Sequence, residues 1–249
     1  MKANFLLISM LALTLTACAS KPESEQANNT QTAQTAYQQA KEVLDNGLYN
    51  RAIELLMAVE SRYPFGPIAR QVQLDLIYAY YQAGDLPKAL AGIDRFIRLN
   101  PNHPELDYVY FMRGLTNLKA DDNALHNMLG IDRADRDLAS TRQAFDDFKL
   151  LVSSFPDSKY SAEAKKRMMT IKDSLARHEL LIADYYMRRG AYLAAANRGK
   201  YIVEYYRDSA LVERALEVMI ESYEKLGLNK LQDDTYQVLK LNFPQNNKF

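Results

Sequence analysis

From about Ala33 almost to the end of the chain, apolar residues recur every three or four positions, and no stretch alternates convincingly with period two. That period predicts α-helices and no strands. In the segment starting at Leu86, the apolar residues Leu86, Leu90, Ile93 and Ile97 step by four, three and four, which draws one stripe along one helix face. Glycines at 47, 84, 190 and 227 stand where a first helix must end in the left-handed conformation. Pro64, Pro101, Pro156 and Pro244 stand where a second helix must stop. Asp85 is placed to cap the helix that follows it, and Pro87 is tolerated in that first turn. The front of the chain differs. Lys2 precedes the uncharged run Phe5 to Leu15, whose eleven residues fall short of the roughly 20 a membrane-spanning helix needs. This length fits the apolar part of a secretory signal, residues 1–17. Residues 19–32 are polar without an apolar period and predict a flexible tether.

The helical part repeats itself. Gly47, Ala52, Leu56, Val59 and Pro64 recur as Gly84, Ala89, Ile93, Phe96 and Pro101, an offset of 37 at each position. Weaker copies run through Gly114, Ala144, Phe148 and Pro156; through Gly190, Ala195, Ile202 and Arg207; and through Gly227, Leu239 and Pro244. The skeleton resembles the tetratricopeptide repeat, a helix–turn–helix unit of about 34 residues. It implies an all-α fold, a superhelix of about five such repeats. Repeats one and two occupy residues 33–103. Repeat three occupies 104–158 and carries an insertion at 121–138, and repeats four and five occupy 159–249. Repeat four has Gly199 at a usually large position, and its first helix extends back to about Tyr160.

Composition removes most catalytic chemistry. Lys+Arg and Asp+Glu are 31 each, so no global field points to nucleic acid. The only cysteine is Cys18, and His103, His126 and His178 are isolated, which leaves no metal-ligand spacing. There is no phosphate-cradling glycine loop and no nucleophile elbow. The cluster Asp132-Arg-Ala-Asp-Arg-Asp137 is better read as local ion pairing than as an acid/base site. No cofactor and no enzymatic activity are expected.

Repeat scaffolds bind. The tetratricopeptide resemblance places Tyr37, Lys41, Gln71, Leu74, Tyr78 and Tyr81 in a concave groove suited to a peptide. The same tyrosines could instead fill space between helices. Tyr78, Tyr80 and Tyr81 cannot all face one side, so at least one is expected to be exposed. From Lys159 to Arg207 there are 11 basic and five acidic residues, with Arg188, Arg189, Arg198 and Lys200 clustered in repeat four. Arginine forks suit carboxylate partners.

Leu15-Thr-Ala-Cys18 resembles a bacterial lipobox, which implies cleavage before Cys18, a diacylglycerol on its sulfur and acylation of the new N-terminus. Ala19, in place of the aspartate that retains lipoproteins at the inner membrane, implies outer-membrane sorting. Several longer strings narrow the family: Arg62-Tyr-Pro-Phe-Gly-Pro67, Gln71-Val-Gln-Leu-Asp-Leu-Ile-Tyr-Ala-Tyr-Tyr81, Ile93-Asp-Arg-Phe-Ile-Arg-Leu-Asn-Pro101, Met112-Arg-Gly-Leu-Thr-Asn117, Asp132 to Asp137, and Arg189-Gly-Ala191 with Asn197-Arg198. The chain resembles the BamD family of lipoproteins of the outer-membrane β-barrel assembly machinery. The resemblance implies a lipid-anchored scaffold on the periplasmic face of the outer membrane. Its N-terminal repeats would receive unfolded barrel proteins, with Tyr63 and Phe65 part of the recognition region. Its C-terminal repeats would dock the central barrel subunit through Arg198 and neighbouring Arg188, Arg189, Asn197 and Lys200, and accessory lipoproteins would also bind. A lipoprotein scaffold of another envelope machine, for secretin assembly or cell-wall division, shares the signal and the repeats.

Overall fold

The computed structural model describes residues 23–121 and 138–249. The signal segment, Cys18, His126, the Asp132–Asp137 cluster and all but the ends of the 121–138 insertion lie outside the described residues. Ten helices and no strand occur among the described residues: α1 Glu23–Asp45, α2 Tyr49–Arg62, α3 Pro67–Ala83, α4 Leu86–Leu99, α5 Leu106–Asp121, α6 Ala139–Ser154, α7 Ser161–Arg188, α8 Tyr192–Tyr205, α9 Val212–Lys225 and α10 Asn229–Asn242. In chain order they make five helix–turn–helix repeats. α1 begins inside the polar stretch expected to be a tether, and no glycine or proline interrupts it before Asp45. α7 reaches back to Ser161, as its sequence predicts.

Two sets of local bonds punctuate the chain. At each of Gly47, Gly84, Gly190 and Gly227 φ lies between 67° and 80°. Around Gly47 the amide of Leu48 donates to the Val43 carbonyl at 3.2 Å and that of Gly47 to Leu44 at 2.9 Å. This pair of bonds satisfies carbonyls left open at the helix end, and a side chain with a Cβ would be strained there. The second helices end differently. Tyr63, Asn100, Phe155 and Phe243 sit at φ −129° to −134° and ψ 57° to 67°, each with a proline next. Proline disfavours the helical region in the residue before it, which fixes the stop. Tyr206 ends α8 in nearly the same conformation with Arg207 in place of proline, so packing suffices there.

The chain divides into two units, residues 1–79 and 80–249. In the first, α1 packs on α2, and Tyr37, Ala40, Leu44, Ala52, Leu56, Val59, Val72, Leu76 and Ile77 are buried. In the second, α4 packs on α5, and each later helix packs on the next, with α7 also touching α9. Its interior includes Phe148, Leu151, Ile171, Ile202, Ile220 and Leu239, all nearly inaccessible.

Three expectations need correction. The buried stripe of α4 is Ala89, Ile93 and Phe96, while Leu86, Leu90 and Ile97 are half-buried beside it. Gly114 is not a turn glycine: it lies inside α5, where an added Cβ would stand 2.5 Å from the Phe148 ring. Its smallness admits an aromatic from α6. Tyr78, Tyr80 and Tyr81 are all half-buried, and none is exposed. Asp85 does cap α4, its carboxylate accepting from the Lys88 amide at 3.3 Å.

The ends of the insertion are tied together. Asp121 closes α5, and its carboxylate accepts from both the amide (2.6 Å) and the hydroxyl of Thr141 in the first turn of α6. The N-cap residue Leu138 has no side-chain oxygen to offer, so the cap arrives from the preceding helix.

Candidate functional site

The N-terminal candidates fall into distinct settings. In the first unit, Tyr37 of α1 is buried, and its hydroxyl donates to Asp75 of α3 at 2.7 Å. Burial, reinforced by the Asp75 charge, pushes the phenol well above its ordinary range and keeps it a neutral donor. Burial also raises the Asp75 carboxyl, against the opposing pull of the Tyr37 bond and the Lys41 charge. Lys41 pairs with Asp45 one turn along α1. Leu74 is buried in helix packing. Tyr78 meets the Tyr49 ring edge-on at 6.3 Å. Of these expected groove residues, Lys41 and Tyr78 keep part of their surface open, while Tyr37 and Leu74 hold the helices together.

The loop after α2 is different. Tyr63 caps α2 with the Arg62 guanidinium 5.6 Å above its ring. Phe65, two residues on, is 89% exposed. Gly66 has φ 95°, a turn only glycine takes without strain, and Pro67 opens α3. Pro64 and Pro67 restrict the backbone on both sides, so the aromatic ring stands on a stiff support in water.

Tyr81 belongs to the second unit. Lys119 of α5 places its ammonium 4.5 Å over the ring and donates to the Tyr81 carbonyl at 2.9 Å. Both line a cavity of about 460 Å³ with Leu115, Leu118, Thr141 and Arg167. Sequence spacing alone does not bring Lys119 to Tyr81, 38 positions away.

The C-terminal candidates centre on α7 and α8. Arg188 and Arg189 are exposed at the end of α7, where a cation favours the carbonyl-rich helix terminus. Asn197 is exposed, and Lys200 pairs with Glu204 at 3.6 Å. Arg198 is held differently: its Nη1 donates at 2.9 Å to Oε2 of Glu179, a carboxylate only 5% exposed. The Glu179 bond raises the guanidinium further. Arg142 of α6 brings Nη2 to 4.0 Å from Glu179 Oε1. Glu179 and Arg142 went unnoticed in the sequence because their pairing joins three helices. The one available signal was a lone glutamate at a buried phase of α7.

Among the described residues no group of three or more metal-ligating side chains occurs, and no helix is long and apolar enough to cross a membrane. Five successive helix–turn–helix repeats define an all-α repeat protein. Residues 29–239 match the YfiO family, described as an outer membrane lipoprotein. The chain is 45% identical over 206 residues to the outer membrane protein assembly factor BamD of Vibrio cholerae, covering 83% of this chain and 86% of that one. It is 41% identical to BamD of Neisseria meningitidis serogroup A, covering 97% and 92% of the two chains, and 40% identical to BamD of Pasteurella multocida, covering 96% and 90%. The chain belongs to the BamD family of outer membrane protein assembly factors.

Proposed function

We propose that this protein is a non-enzymatic scaffold of outer-membrane β-barrel assembly, anchored to the outer membrane by lipid on Cys18 and facing the periplasm. Its N-terminal repeats receive unfolded barrel proteins, and its C-terminal repeats dock the central barrel subunit through the surface around Arg198, alongside accessory lipoproteins. The observation that carries the receiving role is Phe65. A phenylalanine 89% exposed on a doubly proline-braced loop gains nothing for the fold. It offers a rigid apolar face with little ordering cost when a partner covers it. The aromatic-rich terminal strand of an outer-membrane barrel is a ligand of matching chemistry.

The test is Phe65→Ser, read by fluorescence anisotropy with a labelled peptide from the last strand of such a barrel. Affinity should fall several-fold with the thermal midpoint unchanged, because an exposed side chain contributes within about 0.5 kcal/mol to stability. Unchanged affinity would remove Phe65, and with it the receiving role assigned to this loop.

A further inference from the structure

We propose that the cavity between α5, α6 and α7 binds the free C-terminal end of an unfolded polypeptide, with the terminal carboxylate on Arg167 and the last apolar side chain against the leucines beside it. This rests on the receiving role given above and names a part of the substrate that repeats three and four would hold.

Three helices build the site. Leu115, Leu118 and Lys119 come from α5, Leu138 and Thr141 from the start of α6, and Arg167 from α7, around about 460 Å³. A second hollow of about 360 Å³ shares Leu118, Thr141 and Arg167 with it and adds Lys166 and Ile171. Volumes of this size hold small ligands. Leu115, Leu118, Leu138 and Ile171 give the wall its apolar part. Cations are in surplus on the rest: Lys119, Lys166 and Arg167 stand against Asp121 and Glu163, three charges against two.

Most of these charges are already engaged. Asp121 accepts twice from Thr141, and Lys119 is tied to the carbonyl and ring of Tyr81. Glu163 pairs with Nη2 of Arg167 at 2.9 Å, one turn along α7. Arg167 still has donors in hand. Its Nε is buried and has no hydrogen-bond partner among the described residues. A buried donor without an acceptor is costly, and a guanidinium fork matches a carboxylate. The side chain as a whole is 36% exposed, so a ligand can reach it. A cation beside an apolar wall selects a chain end over an internal acidic residue. At a C-terminus one α-carbon carries both a carboxylate and an apolar side chain. An internal aspartate or glutamate brings its charge where the apolar side chain would have to enter.

Full-length protein in detergent would be titrated by fluorescence anisotropy with three N-terminally labelled peptides from the last strand of an outer-membrane barrel ending in phenylalanine. They are the free acid, its C-terminal amide, and the free acid lengthened by two glycines. Wild-type protein should bind the free acid about tenfold more tightly than either of the others. In Arg167→Gln that preference should fall below about twofold, with the thermal midpoint nearly unchanged, because the fold loses only a partly exposed ion pair. Arg167→Lys, which keeps the charge but loses the fork, should retain an intermediate preference. Phe65→Ser should weaken all three peptides alike. Equal binding of the free acid and the amide, or of the free acid and the lengthened peptide, would overturn this inference, and the receiving role would stand if Phe65→Ser still weakened them. A preference that survives in Arg167→Gln would put the carboxylate elsewhere and refute this site. Failure of all three peptides to bind would overturn the receiving role and this inference with it.

Discussion

Gly199 offers a measurable test of how closely α8 and α9 approach. In an open helix, replacing glycine by alanine stabilises by about 1 kcal/mol, because glycine loses more backbone freedom on folding. At Gly199 the new Cβ would stand 2.8 Å from the Ala215 carbonyl oxygen and 2.8 Å from Met219 Cγ. The methionine chain can turn aside, but the carbonyl is backbone and moves only with α9. Overpacking of this kind costs about 1–3 kcal/mol. Subtracting the propensity gain leaves a net loss of roughly 0–2 kcal/mol for Gly199→Ala. In a unit of this size that lowers the thermal midpoint by up to about 8 °C. Urea denaturation followed by circular dichroism at 222 nm gives the free energy directly. In a double-mutant cycle, Gly199→Ala should cost less in a Met219→Ala background than in the wild type but still cost something, since the carbonyl contact remains. A gain near 1 kcal/mol for Gly199→Ala would mean that the two helices do not touch there, and the close packing inferred at this crossing would be refuted.

Two further outcomes are expected. Asp121→Ala removes the acceptor for the first turn of α6 and should destabilise by about 1 kcal/mol, with Asp121→Asn recovering part of it, both read from urea midpoints. Burial, with the neighbouring Tyr201, pushes the Tyr206 phenol up to about 12. The folded state therefore holds this proton more tightly than the unfolded chain, whose tyrosines titrate near 10. The resulting stability is complete below pH 10 and disappears as pH rises from about 10 to 12, so Tyr206→Phe should flatten the stability-versus-pH curve across that interval. Equal slopes for the two proteins would contradict the assigned cause.

Local signals survived the step from sequence to structure best. A glycine that must take positive φ and a proline that ends a helix act within four or five residues, and the turns at Gly47, Gly84, Gly190 and Gly227 lie where spacing placed them. Gly114 misled because the same residue type serves two purposes, and only the position of Phe148 in space distinguishes a close approach from a turn. In α4 the four-three-four spacing of Leu86, Leu90, Ile93 and Ile97 fits a helix face, but Ala89 and Phe96 share nearly the same face and are the more buried. The candidate sites were readable as residue types and not as partnerships. Arg198 stood out by its basic surroundings, whereas Glu179, 19 positions earlier, acquires meaning only when α6, α7 and α8 converge.

The length of α7 has a consequence for how this chain folds. Its 28 residues extend about 42 Å at the usual rise, twice the span of its neighbours α8 and α9. It packs on α6 and α8 and touches α9. In an ideal array each repeat contacts only its neighbours, and stability spreads as a chain of nearly independent steps. α7, in repeat four, makes contacts of that neighbouring kind with repeats three and five, but along a rod twice the usual length, so these three repeats should be coupled more tightly than an ideal array. A truncation ending between Leu175 and Leu180 would strand buried faces on both sides of the cut. Hydrogen exchange across α6 to α9 should accordingly report a single opening event.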